Sequence, residues 1–453
     1  MVEARIHGGK VWCLILLLLS SSHALIAAAE DHVVVHLPGF EGPLPFHLQT
    51  GYVEVDEVNG VRLFYYFIRS ERSPADDPLI LWFSGGPGCS GFNGLIYEIG
   101  PLAFDLHGYM DGVPKLVYRL ESWTKSPVGA GFSYSVAEQG YKSSDTKAVN
   151  QIVIFLRKWL DEHPEFLSNP LYIGGDSYSG IIVPTVASEI ARGKNGGSEP
   201  TLNLKGYIVG NAFVDMSNID EPARIPYAHR MGLISDKMYE EYKKSCRVGD
   251  SSHESIQCEN SVFAINECVK DIYQFHILEP NCPLSSPHPY NLLKPAEDLQ
   301  LHEISTKCRT KKYILSGLWA NDPTVREALG IHKGTVPSWL RCNIDIPYSK
   351  DIQSSVKYHL DVTTKGYRSL VYSGDHDMGV PFSGTQSWIK SLNFAILDDW
   401  RPWYVNGQVA GYTTSYSNNL TFSTVKGAGH TAPEYMPMQC LVMLARWLAG
   451  DPL

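Results

Sequence analysis

Short continuous apolar runs, each closed by a glycine-rich or polar loop, recur along the chain. LILWF from Leu79 runs into SGGPGCSG, LYI from Leu171 into Ser177, and YIV from Tyr207 into Gly210-Asn211; LVY from Leu370 runs into SGDHDM, and LTFSTV from Leu420 into KGAGH. Helical patterns lie between them. In SSDTKAVNQIVIFLRKWLDEH, Val149, Ile152, Leu156 and Trp159 follow an i, i+3, i+4 spacing after serine caps, and QCLVMLARWLAG ends at Gly450; both predict helices that cover a core. Strands alternating with helices predict an α/β sheet. In such sheets ligands and catalytic groups collect at the ends of the strands. Between about residues 215 and 350 the rhythm breaks down, which predicts an insertion capping the sheet and shaping a pocket.

Composition fits that picture: 453 residues, 44% hydrophobic and 19% charged, describe a soluble globular protein with material for a large core. A net charge of −10 with no Lys/Arg run gives no footprint for nucleic acid or for an anionic membrane. Residues 1–29 carry Arg5 and Lys10, an apolar stretch from Val11 to Leu19, and Ala27, Ala28 and Ala29. They read as a secretory signal cleaved near Ala29, leaving 30–453 as the mature domain with no membrane attachment; an anchor needs a longer unbroken apolar span. Secretion favours disulfides. Beyond Cys13 the cysteines are 89, 246, 258, 268, 282, 308, 342 and 440, with no C-x-x-C pair and no H-E-x-x-H, so neither zinc nor another metal is expected. Asn419-Leu420-Thr421 is a sequon for N-glycosylation.

The chemistry centres on LYIGGDSYSGIIVP. Gly174, Gly175 and Gly180 crowd Ser177, the pattern of a sharp strand-to-helix turn that lifts a serine hydroxyl clear of its neighbours; an ordinary strand-loop-helix connection reads the same way. A serine needs a base held by an acid. Later strand ends supply them in the order Ser, Asp, His: Ser177, then Asp375 or Asp377 in GDHDMGVP, then His430 in GAGHTAPEY, the order of an α/β-hydrolase. His376 reads as a local loop partner. SGGPGCSG lacks the Lys-Ser/Thr ending of a phosphate loop, and its backbone N–H groups could instead hold the oxyanion of acyl transfer.

WFSGGPGCSG, SPVGAGFSYS, GDSYSGIIVP, SGDHDMGVPF and GAGHTAPEY together resemble the plant serine carboxypeptidase-like family over the whole chain after the signal. The resemblance implies an α/β-hydrolase fold with a cap. It implies Ser177 as nucleophile, His430 as general acid/base, Asp377 as the orienting carboxylate, and the amides of Gly86 and Tyr178 as oxyanion hole. It also implies disulfides Cys89–Cys342, Cys246–Cys258 and Cys282–Cys308, with Cys268 and Cys440 free. Peptidases of the family typically bind a terminal carboxylate with an Asn before the Gly-Gly-Pro loop, a Glu before the nucleophile and a Glu after the histidine. Here Ser84, Asp176 and Thr431 stand there, beside Gly85, which resembles the acyltransferase branch. That branch implies a 1-O-β-glucose ester as donor, a small-molecule acceptor, no cofactor, a vacuolar or extracellular address, and a monomer or nicked two-chain form. A carboxypeptidase and an inactive binding glycoprotein are the alternatives. The chain departs from the family once. Relatives usually carry an apolar strand between SWTK and SPVG, but Trp123-Thr124-Lys125 runs directly into Ser126-Pro127-Val128, so the fold is expected to lack one central strand.

Overall fold

The computed structural model describes residues 32–107, 109, 111–123, 131–193, 201–246, 256–282 and 308–453. Near the N-terminus β1 (His32–Val34), β2 (Leu48–Asp56) and β3 (Val61–Ile68) form an antiparallel sheet, joined at β3 by the short Tyr134–Ser135 strand. The apolar runs become β4 (Leu79–Phe83), β5 (Leu171–Asp176), β6 (Leu204–Gly210), β7 (Arg368–Gly374) and, after the hairpin β8 (Ile396–Val405) and β9 (Gln408–Tyr416), β10 (Leu420–Val425). They make one seven-stranded sheet ordered β8-β9-β10-β7-β6-β5-β4. From β4 to β10 the pairs are parallel; the hairpin adds antiparallel strands at one edge. Parallel strands are covered on both faces and so read as unbroken apolar runs; every residue of β4 and β5 is buried.

The helices are α1 (Asp145–Glu162), α2 (Ser179–Gly193), α3 (Arg224–Arg230), α4 (Asp236–Ser245), α5 (Ile256–Val269), α6 (Thr310–Asn321), α7 (Pro323–Ala328), α8 (Val356–Thr364), α9 (Phe382–Ser391), α10 (Ala432–Tyr435) and α11 (Pro437–Ala449). Helix α1 starts where the Ser144 side chain accepts from the Lys147 amide, and α11 stops at Gly450 in the left-handed conformation. One face of the large sheet packs on α1, α2 and α9. The other packs on α11, with Met443, Leu444 and Trp447 against Ile80, Ile208 and Leu370. A further core lies against β2 and β3, where Phe92 stacks on Trp319 of α6. Within 215–350, helices α3 to α7 contribute no strand of the large sheet among the described residues. The disulfides are Cys89–Cys342, Cys246–Cys258 and Cys282–Cys308, with Cys268 and Cys440 free.

The junction at which a strand was expected to be missing falls on residues 124–130, outside the described ones, as does the signal segment. The described residues show a break between β3 and β4, which belong to different sheets. Tyr65 and Phe67 of β3 and Leu79 and Leu81 of β4 share the apolar space beneath Phe155 and Trp159 of α1, so this helix bridges the break on one side. The Leu79 amide donates to Pro170 O; by alternation the amides of Ile80 and Trp82 point away from β5, toward the break. Among the described residues no strand pairs with that edge.

Candidate active site

Ser177 occupies the turn between β5 and α2, at φ +56°, a left-handed conformation uncommon for a residue with a side chain. Three backbone bonds hold it there: Ser177 N–H donates to Gly210 O at 2.9 Å, and Ser177 O accepts from Gly180 and Phe213 amides at 3.0 and 2.9 Å. The surrounding glycines follow from close approach. A Cβ on Gly175 would stand 2.5 Å from Phe83 O, and one on Gly180 would stand 2.4 Å from Phe213 O.

His430, after β10, brings Nε2 to 2.8 Å from Ser177 Oγ and Nδ1 to 2.7 Å from Asp377 Oδ2. With the proton on Nδ1 donated to Asp377, Nε2 is free to accept from the serine hydroxyl. Asp377 is fully buried. Its Oδ2 also accepts from Asn211 Nδ2 and its Oδ1 from the Gly379 amide, both at 2.8 Å. Asn211 in turn accepts from the Gly374 amide at 2.9 Å, tying the ends of β6 and β7 together behind the carboxylate. Asp375 faces elsewhere: it takes the Gly427 amide and His376 Nδ1 at 2.7 and 2.6 Å, so His376 is a loop partner.

The cap enters the site through a short strap, Tyr273–Glu279. Gln274 O accepts from the Met378 and Gly379 amides, Phe275 O from His430 N–H at 2.8 Å, and His376 O from Ile277 N–H. The Phe275 ring lies 4.8 Å from the imidazole of His430. Gly379 and Gly429 make room for it: a Cβ on either would come within 2.8 Å of Phe275, on its ring or its carbonyl. Arg309 clamps the strap, its guanidinium donating to both oxygens of Glu279.

A cavity of about 260 Å³ opens beside Ser177 and His430. Ser84, Gly85, Gly86, Asp176 and Thr431 line it, as do Glu98 and Arg341, which lie outside every motif, and Glu434, four residues after His430 in GAGHTAPEY. The amides of Gly86 and Tyr178 have no partner among the described residues, and a Cβ on Gly85 would lie 3.0 Å from the Tyr178 nitrogen. Glu98 accepts from Trp82 Nε1 at 2.7 Å and Ser84 Oγ at 3.0 Å. Asp176 accepts from the Gly85 amide through Oδ1 and leaves Oδ2 unpartnered. Burial pushes the Glu98 carboxyl up to about 7, against its hydrogen bonds. Burial, and then the charge of Glu98, raise Asp176 well above the carboxylate range. Glu434 is the opposite case: although burial resists its ionisation, Lys312 and Arg309 hold it well below the usual range. Thr431 Oγ1 donates to it at 2.8 Å. Arg341 lies over the Tyr313 ring at 4.2 Å with its Nε buried and unpartnered. Among the described residues no cluster of His, Cys, Asp or Glu could hold a metal ion.

A serine, histidine and buried aspartate in one hydrogen-bonded line, beside free amides and a polar cavity, can carry out acyl transfer. The serine carboxypeptidase family model matches residues 38–450. The chain belongs to the serine carboxypeptidase family. It is 48% identical to serine carboxypeptidase-like 17 of Arabidopsis thaliana, over 92% of this chain and 93% of that one. It is 47% identical to serine carboxypeptidase-like 2 of the same plant, over 97% and 96%. Among solved structures it resembles Kex1, a prohormone-processing carboxypeptidase of Saccharomyces cerevisiae, at TM-score 0.72 and 20% identity, covering 92% of this chain and 96% of that one. Members of the serine carboxypeptidase family share the α/β-hydrolase fold, and this chain has it.

Proposed function

We propose that the chain is a serine acyltransferase that moves an acyl group from a 1-O-β-glucose ester to a small acceptor through an acyl-enzyme. Ser177 Oγ attacks the ester carbonyl while His430 Nε2 takes its proton and Asp377 steadies the imidazolium. The Gly86 and Tyr178 amides hold the oxyanion. Collapse expels the sugar oxygen, protonated by His430, and leaves an ester on Ser177. An acceptor hydroxyl or amine, deprotonated by His430, attacks that ester and frees the serine.

The observation that carries this reading is the cavity wall. Where peptidases of the family typically carry Asn, Glu and Glu, this wall carries the hydroxyls of Ser84 and Thr431 and the Asp176 carboxyl with one unpartnered oxygen, a set suited to sugar hydroxyls. Transfer must outrun water at about 55 M. An acceptor near 1 mM needs an advantage of roughly 10⁴ to 10⁵, about 6–7 kcal/mol, which oriented binding can supply. Arg341 supports a second reading, carboxypeptidase action. It would take a carboxylate, that of a hydroxy-acid acceptor on the first reading and that of a peptide C-terminus on the second. The exposed Asn419, in the turn before β10, suits a glycan on a protein bound for the vacuole or the cell exterior. Incubation with phenolic and aliphatic glucose esters, blocked dipeptides and a mixed acceptor pool, read by mass, tests the choice. Transferred ester or amide with negligible dipeptide cleavage is expected. Efficient dipeptide cleavage without transfer favours the peptidase, and silence with both donors favours an inactive binding protein.

A further inference from the structure

Behind the triad, three loops meet around an imidazole that the proposed reaction does not use. His276 belongs to the strap, one residue after Phe275, and is buried. Its ring stacks between those of His376, at 5.5 Å, and Tyr435, at 4.7 Å. Its Nε2 lies 3.1 Å from Gly427 O, and its Nδ1 lies 3.3 Å from the Leu278 amide nitrogen. An amide N–H can only donate, so Nδ1 accepts and the ring's proton sits on Nε2, where the Gly427 carbonyl takes it. Both bonds belong to the neutral imidazole.

The contacts reach from there to the reacting side chains. Gly427 offers its carbonyl to His276 and its amide to Asp375, which also takes His376 Nδ1. The backbone of His376 accepts from the Ile277 amide and donates to Ala428 O. Ring on ring, the two histidines thus close the strap onto the loop that carries Asp377 and the loop that carries His430. There is little slack: a Cβ on Gly429 would stand 2.8 Å from the Cβ of His276. One residue away, Phe275 accepts the His430 amide and lays its ring 4.8 Å from that imidazole. A misplacement of about 1 Å at a reacting group can cost on the order of 10²-fold in rate.

A proton added to His276 would fall on Nδ1, against the Leu278 amide. Burial opposes it most, and His376 and Arg309 oppose it too, while the Gly427 carbonyl and Glu279 favour it; the ring therefore holds a proton more weakly than an ordinary imidazole. No free carboxylate faces it from the other elements packed there. Asp375 is spent on Gly427 and His376, and Glu434 on Arg309 and Lys312. Tyr435 is neutral, its hydroxyl raised above the usual tyrosine range by burial.

We infer that His276 is a positioning residue for His430: neutral, it fastens the strap to the loops bearing Asp377 and His430, and protonated, it releases the strap and the base loses its alignment. This role rests on Ser177 and His430 acting through an acyl-enzyme.

The test uses p-nitrophenyl acetate, because nitrophenol release reports acylation whether water or an acceptor completes the cycle, and kcat/KM against pH reports ionisations of the free enzyme. Two imidazoles must be neutral for reaction, so the acid limb of the wild-type logarithmic profile should steepen from a slope of about 1 toward about 2 as pH falls. His276→Gln can still donate to the Gly427 carbonyl but takes no proton. It should keep kcat/KM on the plateau within about threefold and fall with a slope of about 1 throughout. His276→Ala should lose about tenfold or more on the plateau, with the same single slope. Far-UV circular dichroism over the same pH range keeps loss of the fold apart from loss of alignment. A steep limb that survives His276→Gln, a single slope in the wild type, a limb that coincides with loss of helix signal, or a His276→Ala variant as active as the wild type overturns the role while the acyl-enzyme stands. Silence of the wild type toward the ester removes the acyl-enzyme and this role with it.

Discussion

Two aspartates stand two residues apart after β7, and their partners separate them. Asp377 receives His430, Asn211 and the Gly379 amide, whereas Asp375 is occupied by Gly427 and His376. A fluorophosphonate probe should therefore label Ser177 alone. Ser177→Ala should abolish labelling; Asp377→Asn should slow it on the order of 10⁴-fold, the scale of losing an orienting carboxylate; Asp375→Asn should cost less than about tenfold. Labelling that survives Ser177→Ala would remove the assignment. Serine, histidine and the aspartate pair were legible in the sequence because each closes an apolar run. Glu98, Arg341 and Phe275 were not, since each lies in a segment without a motif and acquires meaning from neighbours distant in the chain; Glu434 stands within GAGHTAPEY, but its partners Arg309 and Lys312 do not follow from that motif. Asn211 was visible only as the end of a strand. Glu98 also sets a pH dependence. Its carboxyl titrates near 7 when folded and near 4.5 when free, so the folded state holds the proton more tightly and stability falls as pH rises between those values. Wild-type Tm should be higher at pH 5 than at pH 7.5, and Glu98→Gln should flatten that difference; an unchanged slope counts against the buried acid.

At the scale of elements, the parallel strands and helices α1 and α11 could be read because two covered faces give an unbroken apolar run and one covered face gives a 3.6-residue period. The hairpin β8–β9 resisted reading. Its register shifts repeatedly and its Trp400 and Tyr412 stack on the outside, so neither period emerges. Helix α4 buries none of its side chains fully; only Met238, Tyr239 and Tyr242 rest, half-exposed, against a small core of the cap. The break between β3 and β4 belongs to this scale too. Amides of Ile80 and Trp82 facing an edge that no described strand pairs, inside a covered sheet, invite other strands. An apolar segment of about eight residues, roughly a strand's length, inserted between Lys125 and Ser126 should raise Tm and the yield of secreted monomer. A chain that is already secreted, monomeric and as heat-stable as its relatives would show that the break costs nothing.

Across the whole molecule, the site is assembled from parts far apart in sequence: Ser177 and His430 are 253 residues apart, Cys89 and Cys342 equally so. Kex1 shares the fold at 20% identity, so the alternation of apolar runs and polar loops, more than particular residues, carries the architecture. That is why fold was more legible than cap, whose course between β6 and β7 follows no simple period. The strap Tyr273–Glu279 gives this wide spacing a consequence in time. On a growing chain the serine turn and the strap are made first, and the strap's two docking loops, around Asp377 and His430, come last. Until the segment carrying Asp377 has emerged the Gln274 carbonyl has nothing to hold, and until His430 follows Ser177 has no base and the Phe275 carbonyl no partner. On the proposed mechanism a nascent or prematurely terminated chain is therefore chemically silent, and reactivity toward esters appears only with the finished protein.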